Sequence, residues 1–269
     1  MSRVIALMRH GERLDRYMES REENWIIAAT RPQDPVLSPN AHEQVTAVAQ
    51  HLQQSLASEG IENSDIVIIS SPLIRTVQTA EIVSQVLDVK GKICLEPAII
   101  EEYSWMRGYD VGEPKTCFPI FLSPQELYDT YSQNIDLSYD PYFTPTFIPD
   151  SNQRNGVREC NPALPDEQQS KVLVRYRCRD FIQNFVMNPS SKISKYRAVV
   201  VIGHGATNTG CVIGLQEHLP AEDKFNICTI ANTGAWSVFL ERENWKSIHP
   251  GWNNSYVPGT VDNANDRPH

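Results

Sequence analysis

Residues 3–13 read Arg3-Val4-Ile5-Ala6-Leu7-Met8-Arg9-His10-Gly11-Glu12-Arg13. Residues 3–8 form a short apolar run of β type that stops abruptly at a cluster of charge. Two other stretches repeat the pattern. Residues 66–69, Ile-Val-Ile-Ile, run into Ser70-Ser71-Pro72, and residues 198–202, Ala-Val-Val-Val-Ile, run into Gly203-His204-Gly205. Such runs suit strands buried on both faces. Residues 235–240 look like a further strand. Between the runs, Val45, Val48, Ala49, Leu52 and Leu56 recur at helical spacing over residues 41–57. Ser71 followed by Pro72 predicts a capped helix start, with the helix running to about Leu87. Residues 171–186 are again helical, with Val174, Cys178, Phe181, Ile182 and Phe185 on one face. Short apolar strands alternating with helices predict an α/β fold with a largely parallel sheet.

The three runs end in chemistry-bearing residues: Arg9, His10 and Arg13 after the first, Arg75 one turn into the helix after the second, His204 after the third. In open α/β sheets ligands bind beyond the carboxyl ends of the strands. These residues, far apart in the chain, should therefore share one rim. Arginines suit phosphate, which they grip with a planar fork of donors. Two helix N-termini at the same rim would add donors. Two histidines among several arginines point to phosphoryl chemistry, and neither a metal nor a cofactor is expected. A neutral histidine can attack phosphorus. Its other nitrogen then needs an acceptor such as the Gly11 carbonyl. A carboxylic acid must protonate the leaving oxygen, and Glu101 and Glu102 are both candidates. His42, His51, His218, His249 and His269 lack such context and read as solvated or structural.

The 269 residues carry a net charge of −9, with a pI near 5.3. This is unevenly spread. Residues 96–167 hold thirteen acidic and four basic side chains, and the rest of the chain has twenty of each. Nine of the eighteen prolines lie between 97 and 165, among many aromatics. That composition predicts an ordered, irregular acidic cap. The α/β body is neutral, with its arginines gathered at the rim. An acidic surface argues against nucleic acid and anionic membranes as partners. Cysteines 94, 117, 160, 178, 211 and 228 form no CxxC pair and read as free thiols of a reducing compartment. With neither a signal peptide nor an apolar run of membrane-spanning length in view, the expected location is cytoplasmic. One domain over residues 1–269 is expected, with a polar, frayed tail from about 253.

At these residues the chain resembles the histidine phosphatase superfamily, also called phosphoglycerate-mutase-like. Arg9-His10-Gly11-Glu12 carries the resemblance. It is joined by Ser71-Pro72-x-x-Arg75-x-x-x-Thr79-Ala80, by Glu96-Pro97 leading to Glu101, and by Gly203-His204. The motifs stand in the family's order over residues 3–240. The resemblance implies a three-layer α/β/α sandwich with a mostly parallel sheet and a cap insertion at about 97–165. It implies that His10 is a phospho-accepting nucleophile and that Arg9, Arg75 and His204 form the phosphate pocket. Glu101 matches the family's proton donor better than Glu102. The extended motif through Arg13, with Ser123-Pro124-x-Glu126-Leu127 and residues 135–139, is similar to the Sts/TULA and ecdysteroid-phosphate phosphatase branch. In that branch the arginine matching Arg13 belongs to the pocket.

The implied activity is phosphomonoester hydrolysis through a phosphohistidine. The substrate would be a phosphorylated small molecule or phosphoprotein, of phosphotyrosine-like or hydrophobic alkyl type. Arg13-Leu14-Asp15-Arg16 departs from the mutases and favours hydrolysis over transfer between hydroxyls. A mutase-type transferase and a catalytically silent phospho-ligand-binding module are the alternatives. A homodimer is implied by the resemblance alone. One departure is Pro39-Asn40-Ala41 after Leu37-Ser38, which lacks the family's usual glycine and touches a helix start.

Overall fold

The structure is a computed structural model that describes residues 2–25, 29–102, 120–149, 157–160, 173–226, 233–249 and 251–253. Four strands run parallel: β1 (Val4–Arg9), β2 (Ile66–Ser70), β3 (Ile93–Leu95) and β6 (Ala198–Gly203). A small hairpin, β4 (Thr146–Pro149) with β5 (Val157–Cys160), stands apart. β7 (Trp236–Leu240) pairs antiparallel with β1, and β8 (Lys246–Ser247) with β7. The main sheet has the order β3-β2-β6-β1-β7-β8.

Alternation along each strand divides the core into two halves. Val4, Ala6 and Met8 of β1 and Ala198, Val200 and Ile202 of β6 face α2 (Ala41–Ser58) and α3 (Ile74–Leu87). Short α1 (Leu14–Glu19) follows β1. Ile5, Leu7, Val199 and Val201 point the other way, toward α5 (Leu173–Phe181) and α6 (Gly205–Gln216). Both faces of the sheet are thus covered, which is why the strands read as unbroken apolar runs rather than alternating ones. The result is the expected α/β/α sandwich. α5 and α6 approach closely because Gly210 has no side chain: a Cβ there would stand 2.8 Å from Cys178 Cβ.

Several local expectations change. The helix after β2 does not start at Pro72. It begins at Ile74, and its first N–H is capped from a distance by Asp34 Oδ1 at 2.9 Å. Ser71 is unavailable as a cap because its hydroxyl bonds His204. Helix α5 is followed by a π turn, Ile182–Val186. Asn253, at the start of the expected frayed tail, pairs with Trp236 through two backbone hydrogen bonds, Asn253 N–H to Trp236 O at 2.9 Å and the reverse at 3.0 Å. Residues beyond it lie outside the described set, as do Cys117, Cys228 and His269.

The insertion is attached to the body along its described part. α4 (Pro124–Thr130) opens with a capping box between Ser123 and Glu126, and its Leu127 enters the α2–α3 half of the core. Ile135 bridges Ile93, extending the sheet edge beyond β3. Tyr139, Tyr142 and Phe143 pack on the α5–α6 half. Buried Glu96 ties them down. It accepts the Tyr139 hydroxyl and the Tyr142 N–H at 2.8 Å each, and the Phe143 N–H at 3.2 Å. These three aromatics of the insertion thus pack on the body. Tyr103, Trp105, Tyr109 and Phe118 lie outside the described residues. No helix among the described residues is long and apolar enough to cross a membrane.

Candidate active site

Strand register assembles the rim. Arg9 pairs with Gly203 at the ends of β1 and β6. The next residues interlock: His10 N–H donates to Gly203 O at 3.1 Å, and Ser71 N–H to Ile202 O at 3.1 Å. This brings His10, Ser71 and His204 to one place, with the two imidazole centroids 5.2 Å apart. Gly11 lets the chain turn there against α2. A Cβ on it would lie 2.7 Å from Val45 Cγ2 and 3.2 Å from Ala41 Cβ. Its N–H donates to Thr79 Oγ1 at 3.1 Å, so the loop is fixed to α3 as well. Glu12 accepts the Ser38 hydroxyl at 2.6 Å, which holds the loop from the side of α2. The departure at residues 39–41 therefore leaves this support intact.

His10 is fully buried, and its Nδ1 lies 2.7 Å from Gly11 O. A carbonyl only accepts, so the proton sits on Nδ1 and Nε2 carries a lone pair. That Nε2 is buried with no hydrogen-bond partner among the described residues. Burial, then Arg75 and Arg9, hold the imidazole well below its ordinary pKa, so it is neutral at pH 7. His204 is also buried and neutral, for the same reasons of burial and Arg75. Its Nδ1 lies 3.3 Å from Arg75 Nη2. A guanidinium only donates, so the His204 proton sits on Nε2 and is given to Ser71 Oγ at 2.9 Å.

Arg75, on the first turn of α3, is buried, and burial pulls it down to about 10, still a cation. Its Nη1 lies 3.6 Å from Asp34 Oδ1 and its Nη2 3.8 Å from Glu101 Oε2. Arg9, at the end of β1, is nearly as buried. Arg13 is gripped by Asp15 at both oxygens, Nε to Oδ1 at 3.0 Å and Nη2 to Oδ2 at 2.5 Å. Burial pushes the Asp15 carboxyl up, but Arg13 outweighs it and holds it below its usual range. Of the two candidate acids, Glu101 turns Oε2 to within 3.4 Å of His204 Nδ1, while Glu102 gives its N–H to Glu101 Oε1. Arg177 braces this segment from α5, donating to Ala98 O at 2.5 Å and Ile100 O at 2.6 Å.

All six predicted site residues are thus at the rim. Ser71 was read only as a helix cap within the second motif, and Asp15 only within the Arg13–Arg16 stretch. Asp34 and Arg177 carried no local signal and were missed. The donor atoms of His10, Glu101 and His204 lie within 4.8 Å of one another, close enough for a metal ion. Arg75, however, lies against two of these donors, and a dication would sit beside a buried guanidinium. Phosphate oxygens suit the same space better, since they accept from the guanidinium that a dication would oppose.

Residues 5–110 match the sequence profile of the histidine phosphatase superfamily, branch 1. Among curated proteins no sequence match is found. The ecdysone phosphate phosphatase of Bombix mori, solved in complex with tungstate, shares the fold with a TM-score of 0.63. It is 17% identical, and the alignment covers 99% of this chain and 98% of that one. A mycobacterial glucosyl-3-phosphoglycerate phosphatase aligns with a TM-score of 0.44 at 17% identity, over 88% of this chain and 89% of that one. The histidine phosphatase profile thus matches the part of the chain that holds the first and second motifs, and the fold is shared along the chain with a solved phosphatase.

Proposed function

We propose that the chain is a metal-independent phosphomonoester hydrolase working through a phosphohistidine at His10. The observation that carries this reading is the buried His10 Nε2, without a hydrogen-bond partner among the described residues, whose lone pair is fixed by the Nδ1–H to Gly11 O bond on a ring that feels the charges of Arg75, Arg9 and Arg13. Arg9, Arg13, Arg75 and His204 bind the phosphate and stabilise the charge on its equatorial oxygens. His10 Nε2 attacks phosphorus as the bond to the leaving oxygen breaks, and protonated Glu101 gives its proton to that oxygen. Glu101, now a carboxylate, takes a proton from water as the water oxygen attacks the phosphohistidine. The P–N bond breaks, its electron pair returns to Nε2, and phosphate is released with Glu101 protonated again.

The acidic insertion favours a single phosphate on a largely uncharged group, either phosphotyrosine-like or a hydrophobic alcohol, in line with the ecdysone phosphate in the name of the Bombix mori structure. Aromatic side chains of the described insertion lend no support to a bulky substrate, since they pack on the body. His10→Ala should lower kcat by at least about a thousandfold. Rapid quenching of the parent enzyme should trap an acid-labile, base-stable phosphoenzyme that His10→Ala lacks, and EDTA should leave the rate unchanged. Metal-dependent hydrolysis surviving in His10→Ala would sink the reading.

A further inference from the structure

Asp34 lies outside every motif that points to the site, yet it is buried against one of the site's main supports. Its Oδ1 accepts the Ile74 N–H and also lies 3.6 Å from Arg75 Nη1. The other terminal nitrogen of the same guanidinium, Nη2, lies 3.8 Å from Glu101 Oε2. Neither contact closes to hydrogen-bond distance. Arg75 thus has a separate carboxylate competing for each terminal nitrogen, Asp34 at Nη1 and Glu101 at Nη2. Asp15 also attracts it, but both Asp15 oxygens are engaged by Arg13. Burial raises Asp34 to about 6, against the pull of Arg75 and the Ile74 N–H, then of Arg31 and Arg13, so it is anionic at neutral pH.

If Asp34 loses its charge, Glu101 becomes the nearest anion on Arg75 and draws the guanidinium in. A carboxylate paired closely with arginine binds a proton less readily. An ionised Glu101 has no proton to give. We propose that Asp34 is a positioning residue for proton transfer: by holding Arg75 back from Glu101 it keeps Glu101 able to protonate the leaving oxygen. The proposal rests on the reading of Glu101 as the acid.

The test compares two substrates in the full-length enzyme: a hydrophobic alkyl phosphate, whose leaving oxygen needs a proton, and p-nitrophenyl phosphate, whose leaving group does not. Asp34→Asn keeps an oxygen for the Ile74 N–H and removes only the charge. The ratio of alkyl to aryl kcat/KM should fall about tenfold. In a Glu101→Gln background, Asp34→Asn should lower that ratio no further, since the two changes act on one proton. Equal losses on both substrates, with a lowered thermal midpoint, would mean that Asp34 only caps α3, and would overturn the proposal, as would an unchanged ratio or a further fall in the Glu101→Gln background. If Glu101→Gln alone leaves the ratio unchanged, the assignment of the acid has failed, and the proposal with it. Should Asp34→Asn not fold, Asp34→Ser, whose hydroxyl also accepts from Ile74, is read by the same ratio.

Discussion

At the scale of single residues, the site depends on two histidines kept neutral. Free histidine titrates near about 6.5, and both His10 and His204 are held well below that. Above that pH they are neutral whether the chain is folded or not. As pH falls through it, the unfolded chain takes up protons that the folded chain refuses, so stability is lost with acid. Each histidine contributes up to about 1.4 kcal/mol per pH unit until its folded pKa is reached. Asp34 opposes this. Raised to about 6, it binds its proton first in the folded chain and returns stability as pH falls toward its unfolded value. His249 is lowered by burial as well, and buried Glu96 is raised like Asp34, so three histidines act against two carboxyls and leave a net loss. The thermal midpoint should therefore drop between pH 7 and pH 5, and drop less in His10→Asn. Identical drops in both proteins would show that His10 titrates as an ordinary exposed imidazole.

At the scale of elements, close packing of α5 on α6 positions His204, which is the N-cap residue of α6. The contact admits no side chain at position 210. Besides Cys178, an added Cβ would lie 3.1 Å from the Arg175 Cα, which is backbone and cannot swing aside. Gly210→Val should cost about 1–3 kcal/mol in urea unfolding, the usual penalty of overfilling a packed contact. No change would mean that α5 shifts freely. The caps show a related logic. The Ser-Pro signal at 71–72 suggests a local cap, but the fold uses Ser71 to orient His204 and takes the α3 cap from Asp34, forty residues upstream. A rule read from neighbours in sequence loses here to a contact made in space.

At the scale of the whole molecule, charge is divided between a neutral body and an acidic insertion. Asp129 and Asp140 of the insertion are exposed, and the insertion's described part is fastened to the body at Glu96, Leu127 and Ile135. This negative charge should disfavour polyanionic substrates through the field alone. Changing Asp110, Glu113, Asp129 and Asp140 together to their amides should raise kcat/KM about two- to fivefold for a polyphosphorylated substrate at low salt. The gain should vanish at about 1 M salt, where charges more than ~3 Å apart are screened. Equal effects at both salt concentrations would assign the gain to altered contacts rather than to the field.

The sequence by itself determined the sheet, its flanking helices and the rim. Its apolar runs end in Arg9-His10-Gly11, Ser70-Ser71 and Gly203-His204, and the sandwich topology leaves one place for those ends to meet. The His10 tautomer was legible in part, because the Gly11 carbonyl, a neighbour in the chain, was a candidate acceptor. The residues alone left Glu101 and Glu102 as candidate acids, and the family resemblance favoured Glu101. Tertiary structure turns the Glu101 carboxylate toward His204 and braces its backbone with Arg177 from α5. It also decided what holds the site: Ser71 on His204, and Asp34 on Arg75. Hydrophobic periodicity is a local property, so it can be read along the chain. A polar contact between residues forty or more positions apart follows from strand register and helix docking, and it exists only once the chain has folded.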